Sequence, residues 1–368
     1  MSKHFFLGQA SRFSTSERLS RLFTIGTKKG QNELRDYLAK RYGSDKNHVA
    51  ITKNGRTALA IALKTTLEPG SKIVVNGFTC YAVLEAVKAA KMVPVFADIN
   101  PETLHYDDKI LNDLLVGHQD IKGIIIQNTL GMPVDIAKIE KITTKTQIKI
   151  FEDMAHCTGV QYPDGREVGT VGVAAALSFG KEKSLDAAAG GAVVIRDLSL
   201  PAIKTPAKMP KFSDTFRARF YPSFCAFYRL LAKIKLETLW MGFLIKTHQV
   251  ERSANNKLDF NRRPPYFVSK VILKQLKQLP KGRKPIRKFA YVKNREELLA
   301  KLKSKGYHFD GFWFETPIAP ERFYKKADFD EAACPNATKV AKEIINLPTH
   351  YDEAKLKPAL KIIEEYKK

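Results

Sequence analysis

Cysteine is scarce. Cys80, Cys157, Cys225 and Cys334 are the only four in 368 residues, widely spaced, with no C-x-x-C pair and no Cys/His cluster at zinc-finger spacing. A disulfide framework and a structural zinc module are therefore excluded. Acidic residues are also in short supply, with 38 Asp and Glu against 62 Lys and Arg, a formal charge of +24. A membrane span needs about 20 uninterrupted apolar residues, and the most apolar stretch, 220–245, is broken by Arg229, Lys233, Lys235 and Glu237. The opening MSKHFFLGQASRF has too short an apolar run for a signal peptide, so a reducing cytoplasm is the expected compartment. Neither G-x-G-x-x-G after a first strand nor G-x-x-x-x-G-K-[ST] occurs, which removes the signatures of dinucleotide and P-loop sites.

What is present is a folded chain: 44% hydrophobic and 10% aromatic content supplies a core, and the length suits one large and one smaller domain. Charge is unevenly placed. Residues 201–300 hold 23 Lys and Arg against 6 Asp and Glu, a surplus of 17. Such a surplus attracts phosphates, whether of a nucleotide-linked substrate, an acidic membrane surface or nucleic acid, or is simply a solvated basic face. With no zinc-finger or RNP pattern, nucleic acid is not the expected partner. Within this region Phe224, Phe227, Tyr228, Leu231, Ile234, Met241 and Ile245 recur at helical spacing, with Arg229, Lys233 and Glu237 on another face. That stripe reads as a helix docked on the core or on a second subunit, with a membrane-surface helix as the alternative.

From about residue 30 to 200 helix-like and strand-like segments alternate. QNELRDYLAKRYG reads as a helix ending at Gly43, HVAIT as a strand, and NGRTALAIALKTTLEPG as a helix entered through Asn54-Gly55 and stopped by Pro69-Gly70. KIVVNG, VPVFADI, GIIIQN and KIFED follow as strands separated by AVLEAVKAAK, DDKILNDLL and AKIEKITTK as helices. Short apolar runs separated by helices predict α/β architecture, with a parallel sheet covered on both faces and right-handed crossovers.

Ligands bind beyond the carboxyl ends of such strands. The polar residues there include Gly55-Arg56-Thr57 at a helix N-terminus, Asp153 at a strand end, the hydroxyl of Ser178 and the amine of Lys183. A helix N-terminus and a hydroxyl suit a phosphate. A carboxylate can pair with a pyridinium nitrogen and a lysine can form a Schiff base with an aldehyde, which together describe a pyridoxal phosphate site.

The ordered set resembles the DegT/DnrJ/EryC1/StrS family of sugar aminotransferases. NGRTAL at 54–59 is similar to the family's S-G-T-x-A-L turn, PVFADINPETLHYD at 94–107 to its P-V-F-x-D-I segment, and EDMAH at 152–156 with VGTVG at 168–172 to its E-D-A-A-[QH] and V-G-T-x-G motifs. SFGKEK at 178–183 matches the S-F-x-x-x-K lysine motif. Asn261, Arg263 and Gln275-Leu276 keep the N-x-R…Q-L spacing, and CPNATKVAKEIINLPTH at 334–350 resembles the closing C-P-x-A…L-P segment. The likeness runs over roughly residues 30–365.

The resemblance implies the fold type I architecture of pyridoxal-phosphate enzymes, a large domain with a mostly parallel central sheet covered by helices and a smaller C-terminal α+β domain. The expected division is an N-terminal arm at 1–25, a large cofactor-binding domain at 26–205, a basic helical connection at 206–255 and the small domain at 256–368. It implies that Lys183 forms the Schiff base and shuttles a proton, that Asp153 keeps the pyridine nitrogen protonated, and that His156 lies near the phenolic oxygen. Gly55, Arg56, Thr57 and Ser178 would hold the phosphate, Cys80 would occupy the ring-stacking position, and Asn261 would reach the phosphate from the other subunit of a homodimer. The implied reaction transfers an amino group from L-glutamate to a keto group of a nucleotide-linked deoxy-sugar, in polysaccharide biosynthesis.

Three positions depart from the pattern: Cys80 replaces the stacking aromatic, with Tyr81 next to it; Ala188-Ala189-Gly190-Gly191 stands where many members have Gly-Glu-Gly-Gly; and Arg56 replaces a small hydroxyl residue. Cys80, Ala189 and the apolar-basic helix near 224–245 support a second reading, a catalytically reduced scaffold whose basic 201–300 region binds a membrane surface or another acidic partner. A dehydratase on the same fold, in which histidine replaces the lysine, is opposed by Lys183.

Overall fold

The computed structural model describes residues 3–6, 13–144, 146–249, 257–280, 282–310 and 314–368. The chain begins with β1 (Lys3–Phe6), α1 (Thr15–Phe23) and α2 (Lys28–Tyr42). It then alternates through β2 (Val49–Thr52), α3 (Gly55–Thr66), β3 (Lys72–Asn76), the short β4 (Thr79–Cys80), α4 (Tyr81–Ala89), β5 (Val93–Ala97) and α5 (Asp108–Gly117). β6 (Ile121–Ile126), α6 (Ile136–Thr144), β7 (Lys149–Asp153), β8 (Ala174–Ser178) and β9 (Gly191–Ile195) complete this half. Helix α2 ends as its sequence predicts, on Gly43 in the left-handed conformation at φ 65°, where a side chain would be strained.

Seven strands form one sheet in the order β2-β9-β8-β7-β6-β3-β5. Both faces are covered: Val74, Ile124 and Ile126 pack in one core with α2 and α6, while Ile73, Val75 and Ile125 pack in a second with α3 and α4. A strand buried on both faces shows no polar alternation, so these runs read as continuously apolar. The sheet is mostly parallel, as expected, and the one strand that departs is β9, which runs antiparallel to both β2 and β8. Residues 179–190 return the chain without a crossover helix, and only an antiparallel partner can be reached that way.

Beyond the sheet come α7 (Phe212–Ala232), α8 (Glu237–Lys246) and α9 (Tyr266–Lys277). Then follow β10 (Arg287–Tyr291), α10 (Arg295–Ser304), β11 (Tyr307–Asp310), β12 (Ile318–Ala319), α11 (Pro335–Glu343), β13 (Ile344–Pro348) and α12 (Glu353–Tyr366). β10 pairs antiparallel with β13, β1 pairs parallel with β11, and β12 pairs parallel with β4. Asp98, fully buried, accepts from Asn336 N and Ala337 N, both at 2.9 Å. The acid of PVFADI thus caps the helix opened by CPNA, satisfying N–H groups that no helix can pair internally.

The apolar stripe at 224–245 is not one helix docked on the core. Lys235 turns at φ 61° and splits it into α7 and α8, which bury only Ala218, Tyr221, Pro222, Ala232 and Leu244. Phe227, Ile234 and Ile245 of that stripe are exposed. Residues 250–256 of the expected basic connection lie outside the described residues.

Candidate active site

The carboxyl ends of β2, β7 and β8 supply the site. At the first, Asn54 caps α3, its Oδ1 accepting from Thr57 N at 3.0 Å and Thr57 Oγ1 at 2.8 Å. Gly55 presses against Ser178, and a Cβ placed at position 55 would lie 2.6 Å from the Ser178 Cβ. Only glycine permits this approach, and it sets a hydroxyl beside the N–H groups of a helix N-terminus, a cradle for an anion. The Arg56 side chain is spent elsewhere, in an ion pair with Glu85 of α4, so what this residue offers the cradle is its backbone. Thr57 is fully buried, its hydroxyl serving the Asn54 cap.

At the second strand end Asp153 is half-buried, its Oδ1 accepting from Ala155 N at 2.9 Å. Burial raises its carboxyl pKa, opposed by the Ala155 hydrogen bond and the Lys183 charge. His156 follows in the next loop, with its Nε2 3.1 Å from Lys183 Nζ. Burial first, then the charges of Lys183 and Arg287, hold the imidazole pKa well below its ordinary value, so His156 is neutral and can accept from the ammonium. Lys183 is itself lowered by burial, against the pull of Cys80, Asp153 and Glu182. An amine that sheds its proton more readily is a better nucleophile near neutrality.

Two further residues expected at the site lie on other segments of the chain. Cys80 caps no helix group with its side chain and lies within electrostatic reach of Lys183, whereas its neighbour Tyr81 stacks on Phe323 at 4.8 Å and 7°. The aromatic ring at 81 is therefore committed to a protein partner. Asn261 is exposed, and its hydrogen bonds are made by its backbone, to Asp259 Oδ1 at 3.1 Å and from Lys208 N at 2.8 Å. The stretch leading to it runs beside the α3 entry of its own chain, where Asn54 Nδ2 donates to Lys257 O and Asp259 N to Thr57 Oγ1.

Three residues beside these were not singled out from the sequence. Glu152 is fully buried and accepts from Tyr162 Oη at 2.7 Å, Gly169 N at 2.6 Å, Val171 N at 2.9 Å and Gly172 N at 2.7 Å. It ties EDMAH to VGTVG, and the co-occurrence of the two motifs was its only signal. Asp186 braces the lysine loop, its carboxylate accepting from Glu182 N at 3.1 Å and Ala188 N at 2.8 Å. Both donors sit at positive φ, 63° and 61°, a conformation that costs about 1–2 kcal/mol per residue. Gln275 grips the Asp186 backbone from both sides, at 3.0 and 2.9 Å. Burial raises the Asp186 pKa to about 6, opposed chiefly by the charge of Arg21. Arg287, fully buried on β10, lies 3.4 Å from Glu182, and burial pushes its pKa down to about 10.

The donor set fits pyridoxal phosphate: an anion cradle that a Cβ at 55 would fill, a carboxylate for a pyridine nitrogen, and a lysine of weakened proton affinity within one polar cluster.

A "Pleiotropic regulatory protein" of Geobacillus stearothermophilus is 26% identical over 306 residues, 80% of this chain and 78% of that protein. The UDP-N-acetyl-3-dehydro-alpha-D-glucosamine 3-aminotransferase of Acidithiobacillus ferrooxidans is 32% identical over 154 residues, spanning 40% of each. The crystal structure of a DegT DnrJ EryC1 StrS aminotransferase from Brucella abortus superposes with a TM-score of 0.69 at 19% identity, covering 97% of both chains, which shows the shared fold. The family description "DegT/DnrJ/EryC1/StrS aminotransferase family" matches residues 22–209, just over half the chain, and those residues contain the α3 turn, Asp153, His156, Ser178 and Lys183. The chain belongs to the DegT/DnrJ/EryC1/StrS aminotransferase family.

Proposed function

We propose that the protein is a pyridoxal-phosphate-dependent aminotransferase that moves an amino group from L-glutamate to a keto group of a nucleotide-linked deoxy-sugar. The observation that carries this reading is the Lys183 amine 3.1 Å from a neutral His156 and within reach of Asp153. Bound there, the cofactor supplies an electron sink for a carbanion. Asp153 favours the charged form of the ring nitrogen by pairing with it. The amides entering α3 and the Ser178 hydroxyl hold the phosphate, with Gly55 making room. Lys183 would carry a proton between the donor's α-carbon and the cofactor's C4′ carbon, as base and then acid. His156 receives the hydrogen bond of the ammonium between these steps and orients it.

The substrate class draws on the relative from Acidithiobacillus ferrooxidans, named for a UDP-linked keto-sugar, and on the basic 201–300 region, which suits a diphosphate. The proposed enzyme is a cytoplasmic homodimer, Asn261 of each chain being directed to the other's phosphate, with 26–205 as the cofactor domain and 256–368 as the small domain.

Purified protein reconstituted with pyridoxal phosphate should be yellow, and borohydride should fix the label on the peptide containing Lys183. L-glutamate should then bleach the colour, and a panel of UDP-, GDP- and dTDP-linked keto-sugars should restore it. A parent protein that stays colourless and unlabelled overturns the reading.

A further inference from the structure

The apolar groups of α7 and α8 do not close on the protein's own core. Leu239 is 71% exposed, Ile234 62%, Leu230 56% and Phe243 54%. Several apolar groups of this region touch one another. Phe227 meets Trp240 at 4.7 Å, Trp240 stacks on Phe243 at 5.5 Å, and Leu19 and Leu22 of α1 line a groove of about 380 Å³ with Phe227 and Leu230. Phe23, at the end of α1, is 78% exposed.

Cations accompany this surface. Arg18 lines the groove, and Lys233, Lys235 and Lys246 are exposed on the α7–α8 segment. Between residues 212 and 246 there are six Lys and Arg and two acids, Glu237 and Asp214, the latter paired with Arg217. No helix among the described residues is long and apolar enough to cross a membrane. Helices that carry exposed Trp, Phe and Leu beside Lys and Arg, yet cannot span, are suited to lie in the plane of a bilayer surface.

We propose that the α1–α7–α8 face docks on a bilayer surface containing anionic phospholipid, with Leu230, Ile234, Leu239 and Phe243 entering the headgroup boundary and Lys233, Lys235 and Lys246 pairing with lipid phosphates. This docking is independent of the chemistry assigned to Lys183.

Sedimentation of the full-length protein with vesicles tests it. Vesicles of phosphatidylcholine with about one-third phosphatidylglycerol should take up at least about tenfold more protein than phosphatidylcholine alone, and high salt should release it. Reversing charge with Lys233→Glu and Lys235→Glu should lower that uptake roughly tenfold or more. Leu239→Gln with Phe243→Gln keeps the charge and should lower it by a similar factor. These side chains are exposed, so each variant should unfold at the parent's temperature. No uptake by the parent, equal uptake on neutral and anionic vesicles, or full binding by the Gln pair would overturn the proposal. So would a Gln pair that dissociates a dimer while vesicle binding stays unchanged, which would assign the face to a second copy.

Discussion

The lysine end of the sheet and the α7–α8 face treat charge and apolar surface in opposite ways. Around Lys183, ionisable groups are drawn into the protein and braced: Glu152 by four donors, Asp186 by two loop amides, His156 by the lysine itself. Along the end of α7 and through α8, Lys233, Lys235 and Lys246 stay in solvent and large apolar side chains stand exposed on the same segment. Burial in the first region changes what the groups can do chemically, because it disfavours their charged forms. Exposure in the second turns these side chains outward, toward a partner.

Substitutions should separate the two regions sharply. The largest effect belongs to Lys183→Ala: without the amine, the protein should bind no cofactor covalently, and turnover should fall by on the order of 10⁴-fold, read as loss of yellow colour beside a coloured parent. Glu152→Ala would strand buried N–H groups of Gly169, Val171 and Gly172 at about 1–3 kcal/mol each. Urea denaturation should find it severely destabilised or unfolded. Gly55→Ala forces a methyl against Ser178 and should cost about 1–3 kcal/mol while weakening cofactor binding in a pyridoxal phosphate titration.

Asp186 gives the comparison a pH signature. Its folded pKa of about 6 lies above the ordinary 3.8, so the fold prefers it protonated. The stability this provides is complete below about pH 4 and is lost as pH rises through 6, about 3 kcal/mol in all. Denaturation of Asp186→Asn across that window should lack this slope, and an unchanged slope would show that the carboxyl is not responsible. The smallest effect is reserved for the exposed face. Leu239→Gln should alter stability by less than about 0.5 kcal/mol, and a larger loss would mean that α8 is packed after all.

Much of the architecture was legible along the chain. The helix with its Gly43 stop, the helix entered at Asn54-Gly55 and the strands carrying Asn76 and Asp153 lie where their patterns place them, because local periodicity and caps act over a few residues. The direction of β9 was not legible, since an apolar run carries no sign of which way it crosses a sheet. The break at Lys235 was hidden as well: a helical period can continue numerically across a turn. Glu152 and Arg287 were missed because their partners lie 10 to 20 and 105 positions away, and Asp186 because a buried acid looks in sequence like a solvated one.

The sequence by itself determined the alternation of helices and strands, the excess of positive charge after residue 200 and the residue types gathered at strand ends, all of them properties of near neighbours or of composition. Tertiary structure alone decided that Gly55 touches Ser178, that His156 meets Lys183, that Asp186 braces the lysine loop and that the α7–α8 stripe faces outward. Contact and burial arise only when distant segments close on one another, and in this protein they set both the proton affinity of the reactive amine and the exposure of its basic, apolar face.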